Sequence, residues 1–167
     1  YQPQFNRAGQ MVGAEALLRW RHPQRGMVSP AEFIPLAEEG GMIVPLGLWV
    51  LRTACQHLAA WQQQPTLAGA QLSVNVSARQ FRQADFAQQV TEVLQGSGAP
   101  AHLLKLELTE SMMLEDVQDT IEKMHAIRTK GVRFAMDDFG TGHSSLAYLT
   151  RLPLDQLKID QSFVRNL

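Results

Sequence analysis

The chain has 167 residues, enough for one compact domain and short for two. Apolar side chains make up 45% of it and charged ones 19%, so it can bury a real core and is not a disordered tail. Fifteen basic residues against sixteen acidic ones leave a net charge of −1, which argues against a protein that coats nucleic-acid polymers but leaves room for a small anionic ligand. Tyr1 opens inside strand-like sequence, and Val12–Trp20 reads as the first full strand. Ser29-Pro30 then supplies an N-cap and a first-turn proline for a helical region running to about Gln64, which Gly40-Gly41 and Pro45 should divide in two. Strands follow at Gln71–Val76, Leu103–Leu108, Val132–Met136 and Gln156–Ile159. Helices are expected between them at Ala84–Leu94 and Asp116–Lys130, with a short one near Ser144–Thr150. Val117, Ile121, Met124 and Ile127 share one face of the second. Strands such as Val132–Met136 are almost wholly apolar, and with helices between them they indicate a parallel sheet covered by helices, either an open doubly wound sheet or a β/α barrel.

No apolar run approaches the ~20 residues that span a bilayer, and no signal-peptide pattern opens the chain, so membrane contact by this segment is not expected. Cys55 has no second cysteine to pair with, which fits a reducing, cytoplasmic setting. Both ends look cut, Tyr1 beginning within a strand and Leu167 following directly on periodic sequence.

Polar residues of metal-ligand type recur at or near the exits of successive strands. They are Glu15, Asn75, Glu107 with Glu110, Asp137-Asp138, and Lys158 among them as a cation. Each has an ordinary structural explanation: Glu15 as a buried acid paired with Arg19, Asn75 as a partner of backbone groups, Glu107 as an ion pair, and Asp137-Asp138 as a turn and cap. Together they are harder to explain that way. The four carboxylates of Glu15, Glu107, Asp137 and Asp138, converging with the Asn75 amide on one rim, would repel strongly unless cations neutralised them, and all-oxygen ligands favour Mg²⁺ or Mn²⁺ over zinc. Asp138-Phe139-Gly140-Thr141-Gly142-His143 lacks both the third glycine of a dinucleotide fingerprint and the ending of a P-loop. Its glycines suit a loop that folds back over the aspartates. Cys55, Trp49 and Trp61 read as core or groove packing and Met112-Met113 as packing residues; Arg79 and Arg82 could face phosphate, but solvent-facing arginines are the default.

Gly13-Ala14-Glu15-Ala16-Leu17-Leu18-Arg19-Trp20 resembles the signature of the EAL domain, the bacterial phosphodiesterase of cyclic di-GMP. The resemblance continues through Tyr1-Gln2-Pro3, Ser29–Pro35, Val74–Gln80, Glu107–Ser111, Asp137–Gly142 and Leu157–Asp160, in the family order and over essentially the whole chain. It implies an α/β, TIM-like barrel with one antiparallel strand and two divalent cations, Mg²⁺ or Mn²⁺. By position, Glu15, Asn75, Glu107 and Asp137 are similar to ligands of the first metal, with Asp137 bridging to a second that Asp138 also ligates. Glu110 resembles the residue that steadies the Asp137–Gly142 loop, and Lys158 the lysine that contacts the attacking water. Gln2, Leu17 and Arg19 match positions that hold the dinucleotide. The implied reaction opens one phosphodiester bond of cyclic di-GMP to give linear pGpG. The rival expectation is a catalytically silent EAL module that binds cyclic di-GMP or a protein; a different metal-dependent barrel hydrolase would leave the Gln2-Pro3 and Arg19 matches to coincidence.

The family pattern continues through two more strands, bearing an acidic residue and a guanine-binding glutamine, so the barrel is expected to be truncated after about its sixth strand. The 167 residues alone are then expected to bind cyclic di-GMP weakly, not turn it over, and associate through unpaired edges. His143 stands where the family commonly has an aromatic residue. The resemblance also admits a homodimer, and sensory or GGDEF domains elsewhere in the parent chain.

Overall fold

The computed structural model describes residues 1–113, 117–140 and 149–163; His143 and most of the expected Ser144–Thr150 helix lie outside them. Six strands form one sheet in the order β1-β2-β5-β6-β7-β8: β1 (Gln2–Phe5), β2 (Met11–Ala16), β5 (Gln71–Asn75), β6 (Leu104–Thr109), β7 (Arg133–Phe139) and β8 (Gln156–Ile159). β1 runs antiparallel to β2, and every later pairing is parallel. This is the curled parallel half of a β/α barrel, with no β1–β8 pairing among the described residues.

The strands alternate more strictly than their apolar content suggests. Leu72, Val74, Leu104, Leu106, Leu108, Phe134 and Met136 face a core built with α2 (Ile43–Trp61), α4 (Phe86–Ser97) and α5 (Val117–Arg128). The residues between them, Ser73, Asn75, Lys105, Glu107, Thr109, Ala135 and Asp137, occupy the opposite, inner face. A continuously apolar strand would have had nothing to present inward. The alternation is what places the chemistry there.

Three local expectations need correction. The strand foreseen over Val12–Trp20 ends at Ala16, and the chain turns into a separate hairpin of β3 (Trp20–His22) and β4 (Gly26–Val28). Pro45 does not break a helix. It sits in the first turn of α2, where a missing N–H costs no hydrogen bond, and the division falls at Gly40-Gly41, with Gly41 at φ 74°. Ser29 does occupy the N-cap of α1 (Pro30–Glu39), but its carbonyl, not its hydroxyl, receives the first helical N–H groups.

Gly98 closes α4 in the left-handed conformation, as the Gly96–Gly98 run suggested, though Gly96 and Ser97 belong to the helix. Gly13 lets β2 approach β5: a Cβ there would lie 2.6 Å from the Gln71 carbonyl oxygen. Cys55 is fully buried, and burial pushes its thiol up to about 12. Ellman's reagent at pH 8 should therefore leave Cys55 unmodified in the native protein and label it fully in denaturant; rapid native labelling would contradict its packing. No helix among the described residues is long and apolar enough to cross a membrane.

Candidate active site

The inner-face residues converge near the C-terminal ends of the strands. Glu15 on β2, Glu107 on β6 and Asp137 on β7 bring carboxylate oxygens within 4.8 Å of one another. Lys158 on β8 inserts its ammonium among them, donating to Glu107 Oε2 at 2.6 Å, Asp137 Oδ2 at 2.8 Å and Glu15 Oε2 at 3.3 Å. Asn75, at the end of β5, donates its amide to Glu15 Oε1 at 2.7 Å. Glu15 therefore pairs with Lys158, not with Arg19, whose guanidinium bonds the Leu18 carbonyl.

Glu107 is 2% exposed, and its Oε1 has no hydrogen-bond partner among the described residues. Burial raises its pKa; the Lys158 hydrogen bond and charge oppose that shift, and the Glu15 charge adds to it. For Lys158, burial alone would disfavour the charged form, but hydrogen bonds to Asp137 and Glu107 and the fields of Glu107 and Glu15 outweigh it, so the ammonium is strongly favoured. An orphaned, buried carboxylate oxygen beside two further carboxylates fits a hard divalent cation.

Asp138 adopts φ 53°, an uncommon conformation for a non-glycine, and its N–H bonds Asp137 Oδ1 at 2.9 Å. Its own pKa is raised, by burial first and then by the charges of Asp137 and Asp160. Glu110, buried at the end of β6, accepts from the Gly140 N–H at 2.9 Å and so ties the start of the glycine loop to the sheet. Gln2 on β1 stands opposite Glu15 in the strand pairing.

A groove of about 310 Å³ leads from this cluster. Leu17, Arg19, Ile34, Ile43 and Thr109 line it together with Asn75 and Glu107, the two residues it shares with the cluster. Trp49, expected to pack in the core or a groove, is 56% exposed and borders a neighbouring groove with Tyr1 and Leu17. Arg79 reaches the Glu38 carbonyl at the end of α1, and Arg82 Nε reaches the Ala78 carbonyl, so both have structural partners.

Sequence reasoning missed the α2 wall of the groove. Gly47 was the available signal, a glycine inside an otherwise apolar helix. A Cβ at Gly47 would fall 2.2 Å from Gln80 Oε1, and Gln80 is 2% exposed. Gly47→Ala should gain about 1 kcal/mol of helix propensity and lose about 1–3 through overpacking. A net loss in chemical denaturation is expected; a more stable variant would mean that Gln80 swings away without cost.

Clustered carboxylates near the strand ends of a curled parallel sheet define a β/α domain whose donor set fits a hard cation. Comparison with known proteins makes this specific: the family model of the EAL domain matches residues 1–167, and the chain belongs to that family. It is 46% identical over 165 residues to the oxygen sensor protein DosP of Escherichia coli, covering 98% of this chain and 20% of DosP. It is 44% identical over 160 residues to the bifunctional diguanylate cyclase/cyclic di-GMP phosphodiesterase MucR of Pseudomonas aeruginosa, covering 95% and 23%. The chain spans about a fifth to a quarter of the first curated relatives it matches. Among solved structures, the MucR phosphodiesterase in complex with c-di-GMP superposes with a TM-score of 0.94 at 42% identity, over 99% of this chain and 67% of that one.

Proposed function

We propose that this EAL domain hydrolyses cyclic di-GMP to linear pGpG. The observation that carries the reading is the convergence of Glu15, Glu107 and Asp137 about Lys158, beside a groove that Glu107 lines together with Leu17 and Arg19. Membership in the EAL family and the likeness to a c-di-GMP complex support the same substrate.

Two cations, Mg²⁺ or Mn²⁺, would supply Lewis-acid charge at the scissile phosphate and acidify water there. Glu15, Asn75, Glu107 and Asp137 would hold one, and Asp137 with Asp138 the other. Arg19, Leu17 and Gln2 bind and orient the dinucleotide, Arg19 supplying a cation to an anionic ligand and Leu17 an apolar contact. Water adds to phosphorus, one ribose–phosphate ester bond breaks, and the released oxygen takes a proton. Lys158 acts as an ammonium, donating hydrogen bonds and fixing charge at the attacking water, because an ordinary lysine is protonated near neutrality and is a poor base there. Glu110 acts through the Gly140 N–H on the loop that carries Asp137 and Asp138 and is a positioning residue.

The parent protein is read as cytoplasmic at this domain, with sensory or GGDEF domains elsewhere and a homodimer as one possible assembly. Incubation of the full-length protein with cyclic di-GMP and Mg²⁺ or Mn²⁺ tests the reaction. Linear pGpG is expected by chromatography, with none in EDTA. Tight binding without pGpG would replace the enzyme by a receptor module.

A further inference from the structure

The inner face beneath the carboxylates contains a buried lysine that none of the proposed roles uses. Lys105 lies two residues before Glu107 on β6, on the same face, and is 7% exposed. Its ammonium donates to Gln156 Oε1 on β8 at 2.6 Å. The strand between them is β7, where Ala135 pairs with both Glu107 and Gln156 and presents only a methyl group. A larger side chain at that level would stand between the two partners.

β8 needs such a restraint. Its ladder with β7 is irregular between Met136 and Phe139, beside the level at which Lys158 must be placed. Three of its four residues, Gln156, Leu157 and Ile159, are exposed. Its start is anchored separately, because Asp155 Oδ2 accepts from the Phe134 N–H and the Asp155 N–H donates to the Phe134 carbonyl. Past that anchor, Gln156 and Lys158 share one face of the strand, so holding Gln156 limits where the Lys158 side chain begins.

We propose that Lys105 is a positioning residue: its hydrogen bond to Gln156, passing Ala135, holds β8 where Lys158 can reach Glu107 and Asp137. This rests on the reading of Lys158 as the residue at the reacting centre. Burying an ammonium whose direct hydrogen-bond partner is a neutral amide is costly for stability alone, the cost of burial outweighing the favourable charges of Glu107 and Asp155, and an apolar pair would fill the same space more cheaply. Its value is geometric, because displacement of a reacting group by about 1 Å can cost up to about a hundredfold in rate.

The test is a double-mutant cycle in the full-length protein. Gln156→Met removes the acceptor on an exposed strand and leaves the Lys105 charge in place, while Lys105→Met removes the donor. Each is expected to lower kcat by roughly tenfold to a hundredfold with KM nearly unchanged. In a Lys158→Ala background neither should lower kcat further, since both act through Lys158. Gln156→Glu keeps an acceptor and should retain most of the activity. Wild-type kcat in Gln156→Met overturns the proposal, and so does an equal loss with and without Lys158, which is the result for a lysine that only stabilises the fold. If Lys105→Met does not fold, the two Gln156 variants decide alone. If Lys158→Ala itself leaves turnover intact, the reading of Lys158 has failed and the proposal with it; if Lys158→Ala is impaired while Gln156→Met is not, only the proposal has failed.

Discussion

Glu107→Gln or Asp137→Asn is expected to cut hydrolysis of cyclic di-GMP by about a thousandfold or more. On the proposed mechanism each removes a charged oxygen ligand from a site that relies on cation charge at the phosphate, a loss of several kcal/mol in the transition state at about 1.4 kcal/mol per decade. The fold should survive the Glu107 change for a reason visible in the site. Burial raises the Glu107 pKa above its unfolded value, so the native state holds this proton more tightly than the unfolded state does. The contribution to stability is greatest at low pH and declines as pH rises from about 4.3 through the folded pKa. At neutral pH without metal, the amide removes the cost of burying an ionised carboxylate and reduces three clustered acids to two, while its oxygen still accepts the Lys158 hydrogen bond and Asp137 and Glu15 still face that ammonium. Calorimetry in EDTA at pH 7 should show Glu107→Gln melting no lower than the wild type. Full turnover at limiting Mg²⁺ would remove Glu107 from the metal site, and a markedly lower melting temperature would make it a structural ion-pair residue instead.

Lys158→Ala should lower turnover far more than affinity for cyclic di-GMP. The ammonium lies among Glu15, Glu107 and Asp137, while the side chains assigned to hold the dinucleotide, Leu17 and Arg19, line the groove that Glu107 borders. The same geometry predicts an opposite effect on the metal. Lys158 and a divalent cation compete for the same three carboxylates, so its removal should tighten Mn²⁺ binding, roughly tenfold or more for an uncompensated charge at such short range. A variant that binds Mn²⁺ more tightly, binds substrate nearly as well and turns over poorly would separate a role at the attacking water from simple charge neutralisation. Titration calorimetry with Mn²⁺ and with cyclic di-GMP, set against turnover, reads all three quantities. Parallel losses of substrate affinity and turnover would favour neutralisation alone.

The strand–helix alternation after Gln71 was legible because each element is a short local pattern. β5, β6 and β8 lie within a residue or two of their expected bounds, and β7 runs three residues further than expected. The carboxylates were legible as candidates for a related reason: an acid inside an otherwise apolar strand is costly, so its presence there is informative. The number of strands that carried one suggested a shared rim. Their motifs then resembled one family, and the match of the family model over residues 1–167 agrees.

Which groups touch was decided by tertiary structure, because side-chain contacts across a sheet depend on register and inward-facing parity. Lys158 and Glu15 are 143 positions apart, and nothing local in the chain specifies that their side chains meet at 3.3 Å. Glu15 had a nearer cation in Arg19, but Arg19 lies beyond the end of β2 and turns to the Leu18 carbonyl. Lys105 illustrates the same division. Its spacing of two from Glu107 was present in Leu104-Lys105-Leu106-Glu107, yet a lysine in a strand usually reaches solvent. Only the parallel pairing of β6, β7 and β8, with a methyl group at Ala135 between two longer side chains, turns that lysine inward onto Gln156. Composition and periodicity determine which residues occupy the inner face; the order and stagger of the strands determine which of them become neighbours.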